Sequence, residues 1–199
     1  MSLISSNVKT PLGMKTLDFW PIKSEEAGKH PSYDASINLG AAVKGYLTVT
    51  TASASISGDD MVQVEEEVFT SGQLDTETTM SDLEINAKLF GHTYSAEAGE
   101  ESKSSDRSKP VGISFIEPVL KKDKTVIYRA TCLRKVCAMP SSEKQEADTR
   151  KSGELNPKMN AVSFKIMEDN LQSWRVRNDF ETVEAAITFI KTTFGVAAG

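Results

Sequence analysis

Hydrophobic and polar residues alternate with a period of two along most of the chain. In "SINLGAAVKGYLTVTTAS", Ile37, Leu39, Ala41, Val43, Leu47 and Val49 share one parity, while Asn38, Lys44, Tyr46 and Thr48 share the other. Extended backbone points successive side chains to opposite faces, so this pattern predicts a long half-buried strand. Gly45 interrupts the apolar side and marks an expected bulge. "SGDD" at 57–60 is turn chemistry. In the following "MVQVEEEVF", Val62, Val64 and Val68 oppose Gln63, Glu65 and Glu67. The two segments predict one long hairpin. Val111, Ile113 and Phe115 alternate in a second hairpin, answered by Val126, Tyr128, Ala130 and Cys132 across a basic turn at 121–124. That lysine cluster reads as a solvated loop rather than a phosphate site. A third hairpin is expected from Val162, Phe164 and Ile166, with "LQSWRVRN" returning across "EDN" and Trp174 and Val176 on one face.

The period changes to that of a helix twice. Ser81 and Glu84 fit a capping box, and Gly91 fits a left-handed stop. These predict a short helix over 82–90 with Leu83, Ala87 and Phe90 inward. Near the C-terminus Phe180, Val183, Ile187, Ile190 and Phe194 recur at three and four residues. This predicts an amphipathic helix over 180–194, with Asn178 or Asp179 as its cap and Gly195 as its stop.

Three stretches lack such order. Residues 1–35 hold Pro11, Pro21 and Pro31 and a single aromatic knot, "LDFWPI". They read as an extended N-terminal arm with one short strand at 16–22. Phe19 and Trp20 are too apolar to stay in water and are expected to dock on the body or on a neighbour. Residues 95–110 are small and polar and read as a mobile surface loop. "EKQEADTRKSGELNP" at 143–157 is far longer than a hairpin turn and densely charged.

Adjacent hairpins without helical crossovers imply antiparallel sheets, and sheet faces this apolar need covers. The fold class is mainly β: an antiparallel β-sandwich or partial barrel with one or two packed α-helices. Residues 36–199 form its single domain. A charged fraction of 26% and a hydrophobic fraction of 39% are ordinary for a globular protein. No stretch is long and apolar enough for a membrane helix, and no signal peptide is expected at the start. The net charge of −5 argues against stable nucleic-acid binding through phosphates.

Little in the sequence suggests catalysis. The histidines are His30 and His92, and no serine sits in a nucleophile elbow. Cys132 and Cys137 lack metal or redox spacing and read as unpaired thiols. Glu65 and Glu67 project to one side of a strand, which by itself is a poor cation site. Trp174 reads as core, and the place of Trp20 stays open. No enzyme activity, cofactor or metal is expected.

The stretches "EINAKLFGHTY" and "VGISFIEPVLKKDKTVIYRATCLRKVCAMPSSEKQEADTRKSGELNP", with the closing "ETVEAAITFIKTTFG", resemble the major tail protein of long-tailed, non-contractile bacteriophages. The resemblance covers roughly residues 81–195. It implies a structural virion protein, assembled in the host cytoplasm, that forms stacked hexameric rings of the tail tube. Its partners would be copies of itself, a tape-measure protein in the lumen, and tail terminator and distal tail proteins. Double-stranded DNA would pass during ejection without stable binding. Two alternatives stay open: the inner tube of a contractile tail or secretion machine, and a β-sandwich ligand-binding module. If six subunits each give four strands, about 24 strands at about 4.8 Å spacing and about 40° tilt close a barrel roughly 48 Å in diameter. That leaves room for a DNA duplex.

Under the resemblance, Gln63, Glu65 and Glu67 are expected to face the lumen. An acidic wall repels phosphate over a Debye length of about 8 Å, where a basic wall would trap it. The charged loop, through Glu146, Asp148, Arg150 and Lys151, is expected to cross to the next ring and set its register. Replacing both Glu65 and Glu67 by lysine should leave tubes intact and slow or stall DNA delivery. Ejection kinetics read this directly, and a wild-type rate in the double variant would remove these residues from the lumen wall.

Overall fold

The computed structural model describes residues 9–58, 61–79, 82–143 and 159–195, with 54–58 and 61–66 described as backbone. Its strands are β1 (Lys9–Pro11), β2 (Lys15–Ser24), β3 (Ser32–Tyr33), β4 (Ile37–Asn38), β5 (Ala42–Gly58), β6 (Met61–Thr78), β7 (Thr93–Ser95), β8 (Gly99–Glu101), β9 (Val111–Lys121), β10 (Val126–Ala138), β11 (Asn160–Met167) and β12 (Arg175–Phe180). Two α-helices, α1 (Leu83–Phe90) and α2 (Val183–Thr193), complete it, with one turn of 3-10 helix at Pro140–Ser142. The main sheet runs β3-β2-β9-β10-β11-β6-β5, and β1, β4 and β12 pair with β9, β2 and β10. Every pairing is antiparallel. The protein is therefore mainly β, with antiparallel sheets and two helices, an arrangement consistent with a β-sandwich or partial barrel.

The core lies on both faces of β9 and β10. On one face Val111, Ile113 and Phe115 meet Leu133, Val136, Leu74, Phe164 and Ile166, with Leu89 and Phe90 of α1 closing over them. On the other face Ile116, Ala130 and Cys132 meet Ala186, Ile190 and Phe194 of α2. Alternation along the two strands sends neighbouring residues to opposite cores.

Residues 15–24 are not an arm outside the body. They form β2, which pairs with β9 from Lys15↔Ile116 to Pro21↔Val111. Its bulge between Lys15 and Asp18 sets the alternation, so that Leu17 and Phe19 enter the first core and Trp20 the second. Trp20 stacks on Phe194 at 4.7 Å, and its indole Nε1 donates to Ser114 Oγ at 2.9 Å. Tyr33 meets the same phenyl ring edge-on at 4.7 Å. This seat exists because residue 112, opposite Trp20, is glycine.

Several local expectations need correction. The cap of α1 is Asp82, whose carboxylate accepts from the Glu84 and Ile85 amides at 2.8 and 3.2 Å. Ser81, the expected cap, lies outside the described residues. With Asp82 capping, Leu83 is 55% exposed rather than inward. Gly91 does close the helix at φ 81°, and a side chain there would strike the Arg107 carbonyl. α2 is capped by Thr182, because Asn178 and Asp179 belong to β12. Ala186 takes the buried place expected of Ile187, which lies on the exposed side. Residues 95–110 are not wholly loop: β7 and β8 pair as a small hairpin. In the long hairpin the bulge falls at Val43, not at Gly45.

The third expected hairpin does not form. β11 and β12 both pair with β10, along Lys135–Ala138 and Tyr128–Leu133 respectively. Asp169 holds the corner between them. Its buried carboxylate accepts from the Leu171 and Ser173 amides, each at 2.9 Å, and contacts His30 Nδ1. Arg134 Nε stands 3.9 Å away. Burial works to raise the Asp169 pKa, but these donors outweigh it and hold it low.

A Cβ at residue 112 would lie 2.4 Å from the Phe194 ring and 2.9 Å from that of Tyr33. Both rings are buried, at 8% exposure for Tyr33 and 2% for Phe194, so relief requires shifting a ring or the end of α2. Gly112→Ala should therefore destabilise the fold by about 1–3 kcal/mol. The urea midpoint reads this, and an unchanged midpoint would mean that the aromatic seat is soft.

Candidate assembly surface

The strands of the β5–β6 hairpin contain 17 and 18 residues, about three times the common strand length. At about 3.3 Å per residue such a ribbon reaches roughly 55 Å. Only its root is supported. β11 pairs with β6 from Gly72 to Thr78 and no further. Beyond that, residues 61–71 have β5 as their one described partner, and β5 pairs with nothing but β6 along its whole length. The ribbon thus carries two free edges, each a row of backbone amides and carbonyls without a partner strand among the described residues.

At the root the inner face is ordinary core. Leu74, Thr76 and Thr78 are buried, and Thr76 Oγ1 donates to the Val162 carbonyl at 2.9 Å. The outer face is polar: Gln73 Nε2 donates to Asp75 at 2.7 Å, and Lys44 pairs with Glu77 at 3.5 Å. Phe69 stacks on Trp174 at 4.5 Å with the rings nearly parallel, which fixes the point where the ribbon leaves the body. Arg175 lies over the other part of the Trp174 environment, its guanidinium carbon 4.2 Å from the ring centroid. Past this anchor Val68 is 55% exposed; on the root, Tyr46 opposite Asp75 is 63% exposed, and Val43 and Val49 are also exposed.

The residues expected on a lumen wall all belong to this ribbon. Glu67 is exposed, opposite Ser53, with Thr51 Oγ1 3.4 Å from its carboxylate. Glu65 lies opposite Ser55, and Gln63 is the extra residue of a bulge facing Ile56 and Ser57. Glu146, Asp148, Arg150 and Lys151 lie outside the described residues. Phe19 and Trp20, expected to dock the arm, are core residues with 1% and 3% exposure.

β12 also has a single strand partner, β10, among the described residues. Asp179 on it is a three-way clamp. It accepts from Lys9 Nζ of β1 at 2.7 Å and from Arg129 Nε of β10 at 2.8 Å. The Arg129 hydrogen bonds, with help from Lys9, hold its pKa at about 2.

A third feature is a polar cluster that the sequence did not reveal. His92 follows α1, and its Nδ1 is 2.9 Å from Asp106, which also accepts from the Lys103 amide at 2.7 Å. Its Nε2 is 3.3 Å from Glu143. His92, Glu100 and Glu143 bring one ligand-type atom each within 4.8 Å of one another. Burial alone would depress the His92 pKa, but the carboxylates of Asp106 and Glu143 reverse this and leave it raised. Burial raises that of Glu100, with Glu143 adding to the effect and His92 opposing it. No spacing rule joins residues 92, 100, 106 and 143. Asp106 and Glu100 sit in what reads as featureless polar sequence.

Cys132 and Cys137 are both free. Burial pushes the Cys132 thiol up to about 12, so it does not ionise near neutrality. A cleft of about 690 Å³ lies between β2 and α1, lined by Phe19, Pro21, Ile37, Ala87, Tyr94 and Lys109, among others. No described helix is long and apolar enough to cross a membrane.

The chain matches no protein-family model and none of the curated proteins searched.

Asp179 supplies a pH prediction. Its folded pKa lies below its ordinary value of 3.8, so its contribution is complete above that value. The contribution is lost as pH falls toward about 2. Asp179→Asn should remove about 1 kcal/mol at neutral pH and flatten the loss of stability across that acid window. Urea melts at stepped pH check both, and parallel curves for wild type and variant would contradict the clamp.

Proposed function

We propose that the chain is a self-assembling structural subunit whose copies complete one another's sheets to build a hollow tube. The reading is the tail tube of a long-tailed, non-contractile phage, with no catalytic step. The observation that carries it is the distal half of the β5–β6 hairpin. An isolated two-stranded ribbon is marginal in water, and this one has free edges on both sides among the described residues and an exposed Val68 on its face. A monomer gains nothing from such a projection, whereas a neighbour's strand would satisfy its backbone and cover its apolar side.

The location would be the virion tail, after assembly in the host cytoplasm. Copies of the chain are the first partners. A tape-measure protein in the lumen and terminator and distal tail proteins at the ends follow from the same reading. DNA would pass an acidic wall without being held. An inner tube of a contractile tail or secretion machine shares this geometry and differs by binding a sheath outside. The cleft beside α1 favours the other alternative, a module that binds a small ligand.

Electron microscopy of the concentrated, purified protein separates these readings. Hollow filaments are expected from the wild type. Replacing residues 52–68 by a short glycine-rich turn should leave a folded monomer that forms none. A wild type that stays monomeric at high concentration, or a trimmed variant that still polymerises, would overturn the proposal.

A further inference from the structure

His92 is surrounded by more negative charge than it can neutralise. Three carboxylates, those of Glu100, Asp106 and Glu143, face one imidazole. Two nearby lysines have other carboxylate partners: Lys103 Nζ meets Glu101 at 3.2 Å and Lys88 Nζ meets Glu84 at 2.6 Å. The His92 side chain is 9% exposed and that of Asp106 14%, while Glu143, at 36%, reaches solvent. Glu100 Oε1 is fully buried and has no hydrogen-bond partner among the described residues. A buried carboxylate oxygen without a donor is costly, and a cation beside it is the direct remedy.

The arrangement is also that of a metal ligand set. Asp106 accepts from Nδ1 and orients the ring, so that in the neutral imidazole the Nε2 lone pair is directed toward Glu143. This is the usual outer support of a metal-bound histidine. Its own position is fixed by the Lys103 amide. The 3.3 Å between Nε2 and the Glu143 carboxylate is long for a charged hydrogen bond. Two ligands about 2.0–2.1 Å from one tetrahedral ion are separated by about 3.3–3.4 Å. An imidazole among the ligands favours a transition ion over magnesium or calcium.

We infer that His92 Nε2, Glu100 and Glu143 form a binding site for a divalent transition ion of the zinc class, with Asp106 orienting the histidine and one position left for water. The ion would join three separate pieces of chain: the exit of α1, strand β8 and the residue that follows the turn at Pro140–Ser142. Glu143 immediately precedes residues 144–158, so the site fixes the point where that charged segment starts. This is a structural tie, independent of whether the chain forms tubes.

Chelator-treated full-length protein titrated with Zn²⁺ by calorimetry should bind one ion per chain, with a rise in Tm that EDTA reverses. Glu100→Gln and Glu143→Gln should each weaken binding at least about tenfold, and Asp106→Asn by about 10–100-fold. His30→Gln should leave it unchanged, since His30 lies with Asp169 at the other corner of the fold. Far-UV circular dichroism confirms that the variants are folded. A Co²⁺ titration of the wild type, which needs no variant, should give the intense visible bands of a tetrahedral ion. Absence of saturable Zn²⁺ binding, full binding in Glu100→Gln with Glu143→Gln, loss of binding in His30→Gln, or a weak octahedral cobalt spectrum would each overturn the assignment.

Discussion

Every backbone amide and carbonyl removed from water must find a partner, and a β-sheet can supply partners only as far as it has strands. This constraint divides the molecule. Within the body, β9 has β1, β2 and β10 beside it, and β10 has β9 on one edge and β11 then β12 on the other. Both faces are covered, one by α2 and one by the opposite wall with α1. At Gly72 the supply on one side of β6 runs out, yet the hairpin continues. The alternation continues into the ribbon, but over 50–58 it is carried mostly by Thr, Ala and Ser, and Val68, beyond the last pairing with β11, is exposed.

That continuity is why the strands were legible in the sequence and their environment was not. Period-2 alternation places β9, β10 and β11 close to where they lie, but it runs β4, which pairs with β2, into β5 and stops β6 near Phe69, well short of Thr78. It cannot say which strand lies beside which. Val43 and Val49 have the parity of core residues in the sequence and are exposed, Val43 because it is the extra residue of a bulge. β12 looks like the return of a hairpin from β11 and instead continues along β10, because Asp169 turns the corner with its carboxylate. β2 looks like an arm because three prolines flank a short apolar knot. Pro21 is nonetheless compatible with a strand, and the glycine that lets Trp20 and Phe194 stack is 92 positions further on.

The helices show the same limit at a smaller scale. A stripe at three and four residues predicts α2 well, but the phase depends on where the chain enters. Thr182 caps the helix, and starting there buries Ala186 instead of Ile187. The polar clusters were not legible at all. His92 with Asp106 and Glu143, and His30 with Asp169, join residues 14 to 139 positions apart. Charge at a distance leaves no periodic trace, and its consequences emerge only once the sheet has brought the chain together.

A ribbon with open edges should be an aggregation hazard, and most proteins blunt such edges with short strands, charges or bulges. Here length is retained and bulges are used: Val43 on β5, and Thr70 and Gln63 on β6, each stand without a register partner. A bulge increases local twist and bends its strand. Three of them along one hairpin select for a partner edge that is equally curved and reject a flat one. The Phe69–Trp174 stack then sets the angle at which this curved edge leaves the body. Under the proposed reading the two devices work together. The anchor fixes where a neighbour's strand must arrive, and the bulges fix the curvature it must have, so that pairing between copies turns through a closed path instead of extending as a flat fibre.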